Sequence, residues 1–237
     1  MTASGVLFAL ATALSMAAAA RAQSPATPTP STPAVTEFSA KTAASGSGDW
    51  QPLFDGKTLT GWKESQFTAR GKVSVENGHV VLGNGYMTGI TWTGAFPTSN
   101  FEVRYQALRR SGSDFFGALT FPVHDSYCTF INGGWGGSVV GLSSLDSMDA
   151  SENDTTVTMG FTNGRWYSFR VRVTDRSIEA WIDDERVVGV DIRGRKIGLR
   201  PGDIEHSVPL GIASYESVAA IRNIEYRVID PAADVKR

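Results

Sequence analysis

The sequence predicts an all-β fold, a sandwich of two antiparallel sheets, and three observations carry that prediction. Apolar and polar residues alternate with period two along several short runs. Turn residues punctuate those runs at close intervals, and no stretch sustains a 3.6-residue period. Of the 237 residues, 41% are hydrophobic and 10% aromatic, which is enough apolar surface to build a real core.

In chain order, residues 1–22 read as an export segment. An Ala-rich apolar run from Val6 to Ala20 leads into Ala20-Arg21-Ala22, a small-x-small cleavage pattern before Gln23. The run is short for a membrane span, and no Lys or Arg precedes it, so the amino terminus alone supplies the positive start. Residues 23–48 carry mostly Ser, Thr, Ala, Gly and Pro, including Pro25, Pro28, Pro30 and Pro33. Such a stretch buries too little to offset its ordering entropy and reads as a flexible spacer. The mature protein is therefore expected outside the cytoplasm, secreted or periplasmic, with no membrane span.

The domain itself is expected over residues 49–230, with a short tail at 231–237. Val73–Glu76 and His79–Leu82 flank Asn77-Gly78, a hairpin signal because a type I′ turn needs positive φ at both central residues. Phe101, Val103, Tyr105 and Ala107 alternate with Glu102, Arg104 and Gln106. Tyr167, Phe169, Val171 and Val173 alternate in the same way with Ser168, Arg170 and Arg172, so both runs predict half-buried antiparallel strands. Phe115–Phe121 and Tyr127–Ile131 are more continuously apolar, as strands near a sheet's middle should be. Ser177–Ile182 and Arg186–Val190 flank Asp183-Asp184-Glu185 as a second hairpin, and Ile224, Tyr226 and Val228 mark a closing strand.

Charge and cysteine content narrow the function. Twenty-two Lys and Arg against 24 Asp and Glu give a net charge of −2, which argues against nucleic acid as a partner. The single Cys128 leaves neither an intrachain disulfide nor a multi-cysteine zinc site, and its apolar surroundings predict burial.

The run Asp49-Trp50-Gln51-Pro52-Leu53-Phe54-Asp55-Gly56-Lys57-Thr58-Leu59-Thr60-Gly61-Trp62 resembles the opening of the 3-keto-disaccharide hydrolase family. The resemblance continues through Asn100–Arg104, Asn163–Tyr167, Trp181–Asp183, Pro209–Ala213 and the closing strand. It implies a concanavalin A-like jelly roll and sugar chemistry outside the cytoplasm. In that chemistry a ketone at C3 acidifies the C2 hydrogen, a base removes it, and the C1 substituent leaves by elimination before water adds back. Such a site needs a base, a donor for the enolate oxygen and an acid for the leaving group. Where the family's central strand carries Glu and Gln after its Tyr, this chain has Cys128 and Phe130 after Tyr127.

Several residues are candidates for that chemistry. His124 and Asp125 sit in a connection between two apolar strands, where His124 suits a general base and both suit an ordinary turn. Asp146, Asp149, Glu152 and Asp154 crowd one polar loop. Clustered carboxylates suit a base and acid pair or a hard cation such as Ca2+, held by Asp146, Asp149 and Glu152; they equally suit a solvated, capped loop. Nothing else in the sequence calls for a cofactor. Trp135 stands among glycines in Asn132–Gly137, either as an exposed stacking platform for a sugar or as a core residue at a bulge.

The resulting expectation names His124 or Glu152 as base, Asp149 as acid or cation ligand, and Tyr127 as phenolic donor. Trp135, Asn132, Asp125, Asn153 and Trp181 are expected to contact a carbohydrate or glycoside. Trp50, Trp62 and Trp166 are expected to pack. His79 and His206 have no metal-ligand spacing, and Ser138 and Ser144 lack a nucleophile-elbow context. A lyase-type hydrolase of keto-glycosides, a non-catalytic glycan-binding module and a cation-binding structural domain all fit these residues.

Overall fold

The computed structural model describes residues 48–230. The stretches expected to be an export segment and a spacer, up to residue 47, and the tail at 231–237 lie outside the described residues. The first half of the domain contains β1 (Gln51–Pro52), β2 (Trp62–Glu64), β3 (Val73–Glu76), β4 (His79–Leu82), β5 (Met87–Trp92), β6 (Phe101–Gly112) and β7 (Phe116–Val123). There follow β8 (Ser126–Gly134), β9 (Val139–Ser143), β10 (Val157–Thr158), β11 (Trp166–Val173), β12 (Ser177–Ile182) and β13 (Glu185–Asp191). One turn of 3-10 helix at Asp203–Ser207 precedes β14 (Gly211–Tyr215) and β15 (Ser217–Val228).

These strands form two antiparallel sheets. The first runs β13-β12-β11-β6-β15-β4-β3, with β1 added to β15, and the second runs β10-β9-β8-β7-β14-β5-β2. The architecture is the jelly-roll sandwich that the alternation and the family resemblance predicted. The hairpin at Asn77-Gly78 forms with φ of 51° and 81°, so both residues take the left-handed conformation that the turn demands. The second hairpin is tighter than the sequence suggested: Ile182 pairs with Glu185, leaving only Asp183-Asp184 in the turn.

Between the sheets lies one core. Phe101, Tyr105 and Phe169 of the first sheet meet Phe116, Phe121, Phe130 and Leu142 of the second, all fully buried. Tyr105 stacks on Phe169 at 5.2 Å, and Phe116 approaches Phe169 edge-on at 5.9 Å. Cys128 is buried here as expected, and burial pushes its thiol up to about 12. Trp62 packs as predicted, its indole N–H donating to the Leu53 carbonyl at 2.8 Å. Among the described residues, no helix is long and apolar enough to cross a membrane.

A polar clamp sits inside this core. The Tyr105 hydroxyl donates to the Gly117 carbonyl at 2.6 Å, and the Asn132 amide donates to the same oxygen at 2.9 Å. Asn132 Oδ1 accepts from the Phe116 N–H at 3.4 Å, which ties β8 to β7. Gly117 is required here, because a Cβ would lie 2.9 Å from Ala107 Cβ. Tyr105→Phe should lower the unfolding free energy by about 1–2 kcal/mol, read from urea denaturation; an unchanged midpoint would show the clamp to be idle.

Candidate functional site

Side chains alternate along β8, so Cys128, Phe130 and Asn132 face the core while Thr129 and Ile131 face outward. The outer face of the second sheet carries its own small apolar cluster. Ile131, Ala118 and Ala213 pack there beneath Phe67 and Ala150, which arrive on loops, and Ile204 of the 3-10 helix. Where those loops part, a cavity of about 730 Å³ opens, within the usual range for a small-ligand site.

Its floor crosses five strands: Ser143 ends β9, Thr129 and Ile131 lie on β8, Phe115 precedes β7, Tyr215 ends β14 and Met87 begins β5. Its walls are the Thr68-Ala69 loop, Tyr86 and the Arg200–Ile204 segment, with Asp114 and Trp135 at one end. Trp135 is 43% exposed and Tyr86 53%, so two aromatic faces are open to solvent. The Tyr86 and Tyr215 rings meet edge-on at 4.8 Å. Hydrogen bonding to Tyr86, with burial second, pushes the Tyr215 phenol up to about 12, so it stays a neutral donor throughout the physiological range.

Hydrogen bonds explain why these loops hold still. Arg109, almost wholly buried, donates to the Asp114 carbonyl, the Phe161 carbonyl and Asn163 Oδ1, which fixes the turn after β6. Asp114 then accepts from the Gly136 N–H at 2.7 Å and so anchors the turn that displays Trp135. Gly137 is needed in that turn, since a Cβ there would lie 2.3 Å from the Ser113 carbonyl and φ is 119°. Across the cavity, Asp203 accepts from the Thr68 N–H at 2.7 Å and from its hydroxyl at 3.1 Å. Arg200 reaches Asp149 at 3.2 Å and lies 5.8 Å from the Trp135 ring. Asp149 also accepts from the Ser143 hydroxyl at 3.2 Å.

The sequence-predicted residues scatter around this cavity. Trp135 lines it, and Asp149 borders it through Arg200 and Ser143. Glu152 is exposed on the same loop as Asp149, and its N–H donates to the Asp149 carbonyl at 2.9 Å. His124 and Asp125 are exposed in the turn between β7 and β8, beside a second cavity lined by Arg195 and Lys196. They lie at the end of β8 remote from Trp135, roughly 30 Å away at a rise of ~3.3 Å per residue. Tyr127 is half-buried at that same remote end. Asn132 belongs to the core clamp rather than to the cavity.

Asn153 is likewise buried: its amide nitrogen reaches the Leu142, Met148 and Asp149 carbonyls, and its oxygen accepts from Thr155. Trp181 lies on the outer face of the first sheet beneath Arg170. Asp146 pairs with Arg195 and Asp149 with Arg200, and among the described residues no group of three His, Cys, Asp or Glu side chains is arranged to hold a metal.

The reading from sequence missed Asp114, Arg200, Asp203, Tyr86 and Tyr215. All but Tyr215 sit within two residues of a glycine in a connection or at its edge, a signal too common to single them out. Only the strand order brings them to one end of one sheet.

A family model described as "3-keto-alpha-glucoside-1,2-lyase-like domain" matches residues 49–227. None of the curated proteins matches the chain. Among solved structures, Bacillus licheniformis β-glucanase is similar at 11% identity and a TM-score of 0.50, covering 79% of this chain and 100% of that one. The carbohydrate binding module CBM66 from Bacillus subtilis is 13% identical with a TM-score of 0.48, covering 69% and 93%. The Crh5 transglycosylase in complex with NAG is 11% identical with a TM-score of 0.49, covering 78% and 85%. At 11% identity the likeness to the β-glucanase is one of fold.

The acidic loop has a defined pH response. The Lys196 N–H and Arg195 lower Asp146, and Arg195 lowers Asp154, both below the ordinary carboxylate range. A lowered folded pKa adds stability above the unfolded value of about 4 and loses it as pH falls through the lowered value. Residues 145–156 should therefore resist proteolysis at pH 6 and lose that protection only as pH falls below the ordinary Asp value of about 4. Arg195→Gln should open them at pH 6; equal cleavage of both proteins at both pH values would contradict this.

Proposed function

We propose, for a chain that belongs to the 3-keto-alpha-glucoside-1,2-lyase-like domain family, that the cavity on the second sheet binds a saccharide and eliminates the C1 substituent of a 3-keto-glycoside. The observation that carries this reading is the open indole of Trp135 facing the Arg200–Asp149 pair, with a neutral phenol at Tyr215. An indole presents a broad apolar face to the C–H side of a pyranose, while its charged neighbours address hydroxyl and carbonyl oxygens.

In this reading Asp149 takes the acidified hydrogen from C2 as a proton. The electron pair moves toward the C3 carbonyl, and the Arg200 guanidinium donates to the oxygen on which charge develops. That pair then forms the C1–C2 double bond as the C1–O bond breaks. The departing alkoxide takes its proton from the Tyr215–Tyr86 pair, and water added afterwards gives the hydrolysis product. Export to the periplasm or beyond follows from the signal-like run at residues 1–22 and suits a domain that meets glycosides outside the cytoplasm.

One observation favours a second reading, a glycan-binding module without turnover. Asp114, Asp149 and Asp203 each already accept hydrogen bonds from the protein, and His124 lies at the end of β8 remote from Trp135. Incubation of the protein with a 3-keto-disaccharide separates the two. Lyase action predicts release of the leaving sugar, lost by about a hundredfold or more in Asp149→Asn while binding persists. Trp135→Ala should weaken binding about tenfold. Binding without any release selects the module, and neither binding nor release contradicts both readings.

A further inference from the structure

Four aromatic side chains line the cavity from one end of the second sheet, one from each of four successive strands. Trp135 follows β8, Phe115 precedes β7, Tyr215 ends β14 and Tyr86 precedes β5. Because neighbouring strands run antiparallel, the exits from β8 and β14 and the entries to β7 and β5 fall at the same end. The register brings the rings level. Tyr215 pairs with Met87, beside Tyr86, and the Tyr215 N–H donates to the Phe115 carbonyl at 3.0 Å. Phe115 lies in turn against Gly134, where a Cβ would come 3.9 Å from its ring. Tyr86 meets Tyr215 at 4.8 Å and Tyr215 meets Phe115 at 5.7 Å. From β8 to β5 the row crosses three strand spacings, about 14 Å at ~4.8 Å each.

The two halves of this row differ chemically. At the Trp135 end stand charged groups, Arg200 at 5.8 Å from the indole and Asp149 at 3.2 Å from Arg200. Beside Tyr86 the lining is Met87, Ala69 and the Tyr215 ring. Asp203, also in the cavity wall, already accepts from the Thr68 N–H and hydroxyl. Tyr86 itself keeps much of its ring open to solvent. A second sugar ring at that end would bring several hydroxyls, each losing water on entry and each needing a partner. A flat apolar ring system needs none, and it gains offset and edge-on contacts with the phenols.

We infer, resting on the glycoside reading of this cavity, that its substrates are glycosides of phenols, with the keto-sugar over Trp135 and a fused aromatic aglycone along Tyr215 and Tyr86. Elimination then releases a phenolate. The C2 proton passes to Asp149, the electron pair it leaves becomes the C1–C2 double bond, and the C1–O bond breaks with its electrons on the aryl oxygen. Tyr215 donates a hydrogen bond to that oxygen as it departs, and solvent protonates it afterwards. The acidity of the donor agrees with such a leaving group. Hydrogen bonding to Tyr86 and burial hold the Tyr215 phenol at about 12, so it gives a sugar alkoxide little general-acid assistance. A phenolate, whose conjugate phenol titrates near ~10, needs little.

The test gives the full chain three 3-keto-α-glucosides that differ only at C1, carrying a naphthyl, a methyl or a second glucosyl group. Affinity is read as KM on the unaltered protein, or by calorimetry where no sugar is released. We expect the naphthyl compound to bind about tenfold tighter than either of the others. Tyr86→Ala, with folding checked by thermal denaturation, should cut that preference to about threefold or less. Trp135→Ala should weaken all three and keep the preference. Equal affinity for the naphthyl and methyl compounds, tighter binding of the disaccharide, or a preference that survives Tyr86→Ala would each overturn the inference and leave the glycoside reading standing. The preference of the unaltered protein decides the matter even if the Tyr86 variant fails to fold. Binding of none of the three would overturn the glycoside reading and this inference together.

Discussion

The register of β8 is the constraint on which both the core and the cavity depend. Because successive side chains point to opposite faces, a slip of one residue would send Thr129 and Ile131 inward and expose Phe130. The buried Asn132 amide makes such a slip expensive, since it must keep the Gly117 carbonyl and the Phe116 N–H. Polar groups inside an apolar sandwich thus fix which side of the strand becomes the floor of the cavity. The same alternation disposes of the departure from the family's central strand: Cys128 and Phe130 are core residues here and take no part in lining the cavity.

The cavity walls follow from loops that hold one another. Arg109 fixes the turn bearing Asp114, Asp114 fixes the turn bearing Trp135, and Asp203 holds the Thr68 loop across the opening. Each carboxylate therefore has a structural duty before any chemical one. The cavity walls are thereby pre-organised, with little conformational freedom left to lose. Arg200 and Asp149 stand apart from this scaffolding, because their contact joins two loops at the rim beside the exposed indole.

Much of the fold was legible in the sequence because period-two alternation and Asn-Gly turns are local signals. The strands around Tyr105, Phe169 and Val75 fell where the pattern put them. Short edge strands such as β2 and β10 carry too few residues to show any period. The cavity was less legible, because it is assembled from connections whose proximity depends on strand order. Trp135 could be picked out by its glycines, whereas Asp114, Arg200 and Tyr215 look like ordinary residues of a turn, a loop and a strand end. His124 drew notice for its chemistry, yet strand length carries it to the far end of the sheet. Asn153 drew notice beside carboxylates, yet its amide serves the backbone of its own loop.

The most direct measurement is hydrogen exchange of the full chain with and without a 3-keto-disaccharide. The account predicts slower exchange in three segments: the turn around Trp135, residues 199–204, and the stretch from Tyr86 into β5. Protection centred on the His124 turn, or none at saturating sugar, would contradict the assignment of the ligand site to the outer face of the second sheet.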